Sequence, residues 1–473
     1  MYLLAPNGAE HSKLRSLAHF RLLASVLKPG STWPVQPVEP GPGDKSGSTY
    51  TGLLPIIDSD QPGRTNSILE RLPIQDAVRT SILSKKWRYT WTAMGALVFD
   101  GHFSNKYSKN EAFDLNGFIR SINRVMILHK GSILKFRLHI PNMFLDSFQE
   151  IDQFMLLLSR NELRKLELKK CFLNPPLEFK GFPNLEQLLL YDIGFGATMC
   201  GTEISLPQLT RLLLKTCTNV YNFNIKATKL ETLVVANCPD TMLLRLSDTP
   251  FLTVALICFQ KPIKDFVRIE KMNLWRILSN LSRVREFRMD NHFLKVYILG
   301  LMPKKHYTLV KNVNNLTFIS QFLFAEKIQK LLPHTIYSLK NLVLFHFQLS
   351  NVDQLFDTLC LLRSSPNLEM LQMYMKVVSP VDERPASNHL EPPNCLDYTL
   401  NQLQTVEIIH LNGSRPELLF IKLLLAHSPS LDKFTMRPNR ASYVQKRLDI
   451  AKDVLQFPRA STNAKIFCLD PKT

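Results

Sequence analysis

No stretch of the 473-residue sequence approaches the roughly 18 uninterrupted apolar residues that a membrane-spanning helix needs. The apolar run from Leu22 to Leu27 is closed at once by Lys28-Pro29. The eight cysteines contain no Cys-x-x-Cys pair, which argues against a disulfide framework and for a reducing compartment, cytoplasm or nucleus. No Gly-x-Ser-x-Gly elbow and no His-Glu-x-x-His pair occurs. Gly43-Asp44-Lys45-Ser46 lacks the glycine that a phosphate loop places before its lysine, and no strand precedes it. The twelve histidines are scattered without carboxylate or cysteine words around them. No catalytic residue, metal ligand or cofactor is therefore assigned. Three glycosylation-type words (at Asn280, Asn315 and Asn412) follow no signal peptide of convincing shape and are read as chance.

Acidic residues are also scarce, 40 against 58 basic ones, for a net charge of +18. A nucleic-acid surface and a merely solvated basic surface both fit that balance. The charges are spread in distant pairs such as Lys85-Lys86, Lys169-Lys170 and Lys304-Lys305, without interleaved aromatics. The solvated reading is favoured, and no membrane partner is expected. An apolar share of 45% and a mean hydropathy of -0.05 suit a chain with a real core.

What is abundant is a word: apolar, two variable, apolar, one variable, apolar. It occurs at Ile133-Phe136-Leu138, Leu163-Leu166-Leu168, Leu185-Leu188-Leu190, Leu209-Leu212-Leu214 and Leu230-Leu233-Val235. A weaker copy is Leu252-Ala255-Ile257. Further copies start at Val284, Val313, Leu339, Leu368, Leu403 and Leu431. The last two anchors are i and i+2, one face of a short strand, and stacked neighbours would bury that face as a continuous core. A second word runs in the same phase: Pro183-Asn184-Leu185, Pro207-Gln208-Leu209, Pro366-Asn367-Leu368 and Pro429-Ser430-Leu431, the proline delivering the chain extended into the strand. Helical spacing recurs between strands at Leu355, Leu359, Leu362 and at Ile328, Leu331, Leu332. Cys171, Cys217 and Cys238 each lie three residues after the last anchor, where they are expected to turn the chain away from the strand.

Residues Ile68 to Trp91 carry a different pattern. Val78 and Ile82 fall on one helical track, Leu83, Trp87 and Trp91 on another. Pro73 breaks the chain, with Asp76 and Ser84 placed to cap helices after it. In Leu72-Pro73, Asp76 to Ser81, Leu83-Ser84, Trp87-Arg88 and Trp91 this stretch resembles the plant F-box. Towards the other end, Leu411-Asn412-Gly413, Glu417-Leu418, Leu424-Leu425 and Ser428 to Leu431 resemble the FBD region that closes many plant F-box/leucine-rich-repeat proteins. The resemblance covers roughly residues 57–460.

It implies an α/β fold: a short helical F-box module, then a leucine-rich-repeat solenoid (a horseshoe) with an FBD-like C-terminal cap. The expected parts are a disordered leader at 1–56, the F-box at 57–100, repeats at 101–375, FBD-like terminal repeats at 376–460 and a tail at 461–473. The leader is alternatively a transit peptide or a gene-model artefact. The implied role is substrate recognition in a cullin-type ubiquitin ligase, without bond chemistry. A Skp-type adaptor would be held by Pro62, Ile68, Leu69, Leu72, Pro73, Val78, Leu83 and Trp87. An unknown protein target would meet strand positions such as Arg164, Lys165, Glu167, Glu186 and Gln187. Gln61 stands where the family has leucine, and an apolar residue is missing near Arg64-Thr65. That deletion would turn the preceding helical residues by about 100° relative to Ile68. A protein-binding scaffold with a degenerate F-box, no longer recruiting the ligase, is the alternative.

Overall fold

The computed structural model describes residues 69, 72–82, 89–109, 112–141, 149–176, 178–197, 203–220, 224–238, 245–247, 249–259, 283–294, 335–376, 383–391, 398–440 and 443–470. The chain forms two compact units, Met1–Met94 with Ile127–Lys130, and Gly95–Met126 with Gly131–Thr473.

In the first unit Pro73 leads into a short helix, α1 (Ile74–Arg79), and its carbonyl accepts the N–H groups of Asp76 and Ala77 at 2.9 and 3.0 Å. No side chain caps α1. Asp76 lies within its first turn, where a carboxylate suits the positive end of the helix, and pairs with Arg79 at 3.0 Å. The expected capping role of Asp76 is thus corrected, and Ser84 lies outside the described residues. After Arg79 the chain tightens into a 3-10 turn, Thr80–Ile82, with Thr80 Oγ1 donating to the Ala77 carbonyl at 2.7 Å. Leu69, Ile74, Ala77, Trp91 and Met94 are buried. The Lys130 N–H donates to the Thr92 carbonyl at 2.7 Å.

The second unit is built on one thirteen-stranded parallel sheet whose strands follow chain order. They are β1 (Ala96–Phe99), β2 (Lys135–His139), β3 (Lys165–Leu173), β4 (Gln187–Phe195), β5 (Arg211–Lys215), β6 (Thr232–Ala236) and β7 (Val254–Cys258). The remainder are β8 (Glu286–Asp290), β9 (Asn341–Phe347), β10 (Met370–Met375), β11 (Thr405–Leu411), β12 (Lys433–Pro438) and β13 (Lys465–Cys468). The repeated word is this ladder: Phe136, Leu166, Leu188, Leu212, Leu233 and Ala255 pair in one row, Leu138, Leu168, Leu190, Leu214, Val235 and Ile257 in another. The sheet extends past the copies at Ile133 and Leu431, through β1 and β13. β8 pairs directly with β9, and the copy at Val313–Phe318 lies outside the described residues.

Three backbone devices repeat with the strands. First, one carbonyl ahead of each strand accepts two successive N–H groups of the next. Arg164 O takes those of Glu186 and Gln187 at 2.8 and 3.0 Å, and Glu369 O those of Gln404 and Thr405 at 2.9 and 3.0 Å. Second, β5 to β7 and β10 to β12 are approached through β-turns. Leu209, Leu252, Leu368 and Leu431 donate N–H back to Leu206, Thr249, Ser365 and Ser428, so the proline that follows each of those acceptors is the second residue of a turn, which its fixed φ favours. Third, Lys170, Asp192, Thr216, Asn237, His346 and His410 all have φ between 54° and 62°. Each left-handed residue returns the next side chain to the core, so Cys171, Ile193, Cys217, Cys238, Phe347 and Leu411 are buried. The residue before each cysteine turns the chain, and not the cysteine itself as expected.

Behind the sheet, short links carry small strands, Glu203–Ser205, Asn224–Lys226 and Arg245–Ser247, joined in a second parallel sheet. Longer links carry helices: α2 (Leu115–Leu128), α3 (Gln149–Ser159), α4 (Val352–Arg363), α5 (Arg384–Leu390), α6 (Arg415–His427) and α7 (Val444–Gln456). The helical spacing at Leu355, Leu359 and Leu362 is the buried face of α4; Ile328 to Leu332 lie outside the described residues. At the β1 end, Phe99, Phe103, Tyr107 and Phe118 form edge-on or tilted aromatic contacts of 5.0 to 5.7 Å. Among the described residues no helix is long and apolar enough to cross a membrane.

Candidate protein-binding surfaces

Around α1 the structure separates core from surface. Leu69 is fully buried, Val78 half-buried, and Leu72 and Pro73 are exposed. Pro62, Ile68, Leu83 and Trp87 lie outside the described residues. Two apolar surface residues absent from the expected set join Leu72: Ile82, 86% exposed, and Tyr89, 64% exposed. The α-helical spacing that grouped Val78 with Ile82 does not survive the 3-10 turn after Arg79, and this sends Ile82 outward. Trp91, by contrast, is 6% exposed. Exposed apolar side chains beside a small packed base suit a protein partner.

On the sheet, the residues between and flanking the anchors form three rows on the face opposite the core. The middle row runs Val98, Arg137, Glu167, Leu189, Leu213, Val234, Leu256, Arg288, Val343, Gln372, Glu407, Thr435 and Phe467 in register. Of the expected target-binding residues, Lys165, Glu167 and Gln187 stand in these rows. Arg164 and Glu186 precede their strands and pair with one another at 3.5 Å. Glu167 is committed internally: Arg137 reaches one oxygen at 2.8 Å and His139 Nε2 lies 3.0 Å from the other. Burial alone would raise its pKa, but the His139 hydrogen bond and the Arg137 charge outweigh it and hold the carboxyl below its usual range.

The middle of this face was not anticipated. Leu189, Leu213, Val234, Leu256 and Val343 are 0–6% exposed, as buried as the anchors. The sequence signal is the unbroken apolar runs Leu188-Leu189-Leu190, Leu212-Leu213-Leu214 and Leu233-Val234-Val235, typical of parallel strands covered on both faces. Beyond it the charges pair off: Arg288 with Glu286, Arg437 with Glu407 at 3.2 Å, and Gln372 with Glu407 at 2.6 Å. Burial pushes the thiols of Cys171 and Cys217 up, and the Cys217 N–H donates to Cys238 Sγ at 3.3 Å. Among the described residues no three His, Cys, Asp or Glu side chains gather to hold a metal.

The segment Asn412 to Glu417 builds the start of α6. Gly413 has φ 71°, and a Cβ there would come within 2.5 Å of Ile450. Ser414 and Glu417 form a capping box, and the buried Glu417 carboxylate accepts N–H groups from Asn412 (2.9 Å) and Ser414 (3.2 Å) and the Asn412 side-chain amide (3.1 Å). Asn439 Nδ2 donates to Asn412 Oδ1 at 3.0 Å.

The F-box domain family matches residues 65–95, the segment that includes α1 and Trp91. An F-box/FBD/LRR-repeat protein of Arabidopsis thaliana is 28% identical over 444 residues, spanning 88% of this chain and 99% of its own length. A putative FBD-associated F-box protein of the same plant is 24% identical over 416 residues, 78% of this chain and 94% of that one. Another F-box/FBD/LRR-repeat protein is 23% identical over 420 residues, 84% and 93%. Over most of its length the chain is thus similar to plant F-box/FBD/LRR-repeat proteins. The matched F-box segment contains α1, and the Asn412–Glu417 cap lies in the stretch whose sequence resembles the FBD.

Proposed function

We propose that this chain is a non-catalytic substrate receptor of a cullin-type ubiquitin ligase, acting in cytoplasm or nucleus. The F-box would bind a Skp-type adaptor through Leu72, Pro73 and Val78, with Ile82 and Tyr89 beside them, and with Pro62, Ile68, Leu83 and Trp87 from the rest of the expected set. Leu69 serves that surface from beneath. The ladder of strands would act as a leucine-rich solenoid of horseshoe form, closed by the FBD-like region at 376–460, and would hold a protein target near the ubiquitin-charged enzyme. Its catalytic contribution is then proximity. The observation that carries the reading is the F-box match at 65–95, coupled to exposed Leu72, Pro73 and Ile82 around buried Ile74 and Ala77.

The test is capture of the full chain on an immobilised Skp-type adaptor. Retention is expected, with Leu72→Asp/Ile82→Asp reducing it by about tenfold or more. The degenerate-F-box alternative keeps a specific observation in its favour: the family match starts at residue 65, beyond Gln61. Failure of the native chain to bind, with binding restored by Gln61→Leu plus an apolar residue inserted beside Thr65, would establish that alternative and overturn the ligase reading.

A further inference from the structure

Among the described residues, like charges crowd most on the face of β2 to β5. Lys135, Lys165 and Arg211 stand in its first row, Arg137 in the middle row, and Lys169 and Lys215 in the last. All are half-buried on strands about 4.8 Å apart; Lys135 and Lys165 are direct neighbours, Gln187 stands between Lys165 and Arg211, and Tyr191 between Lys169 and Lys215. Within these rows the one carboxylate is Glu167, already engaged by Arg137 and His139. Asp192, at the left-handed position within β4, serves Thr216 and the charge of Lys215. Burial, and the charges of Lys135, Arg137 and Arg211 acting against the attraction of Glu167, hold the Lys165 ammonium below its usual range. The face over β8 to β12, in contrast, pairs its arginines with Glu286 and Glu407.

We propose that the β2–β5 face is the docking site for an acidic peptide segment of the target, its carboxylates seated between the Lys135/Lys165 and Lys169/Lys215 rows. This rests on the receptor reading and names the chemistry of the partner. The patch spans about 14 Å across four strands, with buried apolar Leu189 and Leu213 forming the floor of its middle row, dimensions that fit a short extended peptide. A nucleic acid would call for a longer cationic track with stacking aromatics, and these positions hold two rings, Tyr191 and His139, the second tied to Glu167. Glu167 gives the site its shape by fixing Arg137 and His139.

The experiment measures binding of a fluorescein-labelled Asp/Glu-rich peptide of about twelve residues to the full chain by anisotropy at about 0.1 M salt. Binding is expected, weakened by about tenfold in Lys165→Glu/Lys169→Glu and unchanged in Lys452→Glu/Arg459→Glu, on and just after α7. If the reversal does not fold, Lys165→Gln/Lys169→Gln provides the same comparison with an expected loss of about threefold. No binding, an equal loss in the α7 variant, or displacement of the peptide by a single-stranded oligonucleotide that binds more tightly would overturn the proposal. Adaptor capture by the same variants separates the two claims: peptide binding without adaptor capture retains the site and defeats the ligase role, and adaptor capture without peptide binding does the reverse.

Discussion

Several single side chains here hold positions that ordinary preferences disfavour. Asn237 adopts φ 58°, with its N–H donated to the Cys258 carbonyl at 2.9 Å. Asparagine tolerates that region, whereas a β-branched residue does not. Asn237→Val is expected to lower stability by about 1–2 kcal/mol in urea unfolding, and Asn237→Gly to leave it level or raise it slightly. Asp290 is buried and accepts N–H groups from Phe259 at 2.6 Å and Phe293 at 2.8 Å. Burial outweighs these bonds and pushes its pKa up to about 7 from 3.8. The folded chain therefore binds this proton more tightly than the unfolded one. The resulting stabilisation is complete below about pH 4 and is lost as the pH rises to about 7. Asp290→Asn should flatten that decline, read as unfolding free energy against pH.

Elements are set by different signals, and these were unequally legible. Strands β2 to β7 could be read directly because Leu166-x-Leu168 and its copies place two anchors on one face, and because the preceding prolines mark turns in the same phase. β13 was not legible, since Ile466-x-Cys468 has Asn463 at the leading position, whereas β1 carries the word as Met94-x-x-Leu97-x-Phe99 and went unread beside the helical segment before it. The surface residue Ile82 was misplaced on a helical track because nothing local announces the 3-10 turn after Arg79. At the other end, Ser414 and Glu417 are a sequence-visible capping box, and the structure adds that Glu417 also organises Asn412. Glu417→Ala leaves three donors without their acceptor and is expected to cost about 2–3 kcal/mol. A thermal melt reads the loss, and hydrogen exchange should locate it at the first turn of α6.

For the parallel unit as a whole, burial is uneven along the sheet. Strands β4 to β7 are covered on both faces at Leu189, Leu213, Val234 and Leu256, whereas in β13 Lys465, Phe467 and Cys468 are exposed. Native-state hydrogen exchange should find the slowest amides in β4 to β7 and the fastest strand amides in β13; uniform protection would contradict a stack stabilised neighbour by neighbour. The doubled hydrogen bond ahead of each strand bears on how such a chain can change over time. It fixes where a strand begins without reference to how much chain precedes it. The link from Lys215 to Thr232 and the far longer one from Asp290 to Asn341 deliver their strands to the same ladder. Closing a flexible loop twice as long costs only about 0.6 kcal/mol more. Lineages carrying this fold can therefore gain or lose residues freely behind the sheet, while a single residue inserted between a lead-in carbonyl and its anchors would put every side chain of that strand on the wrong face.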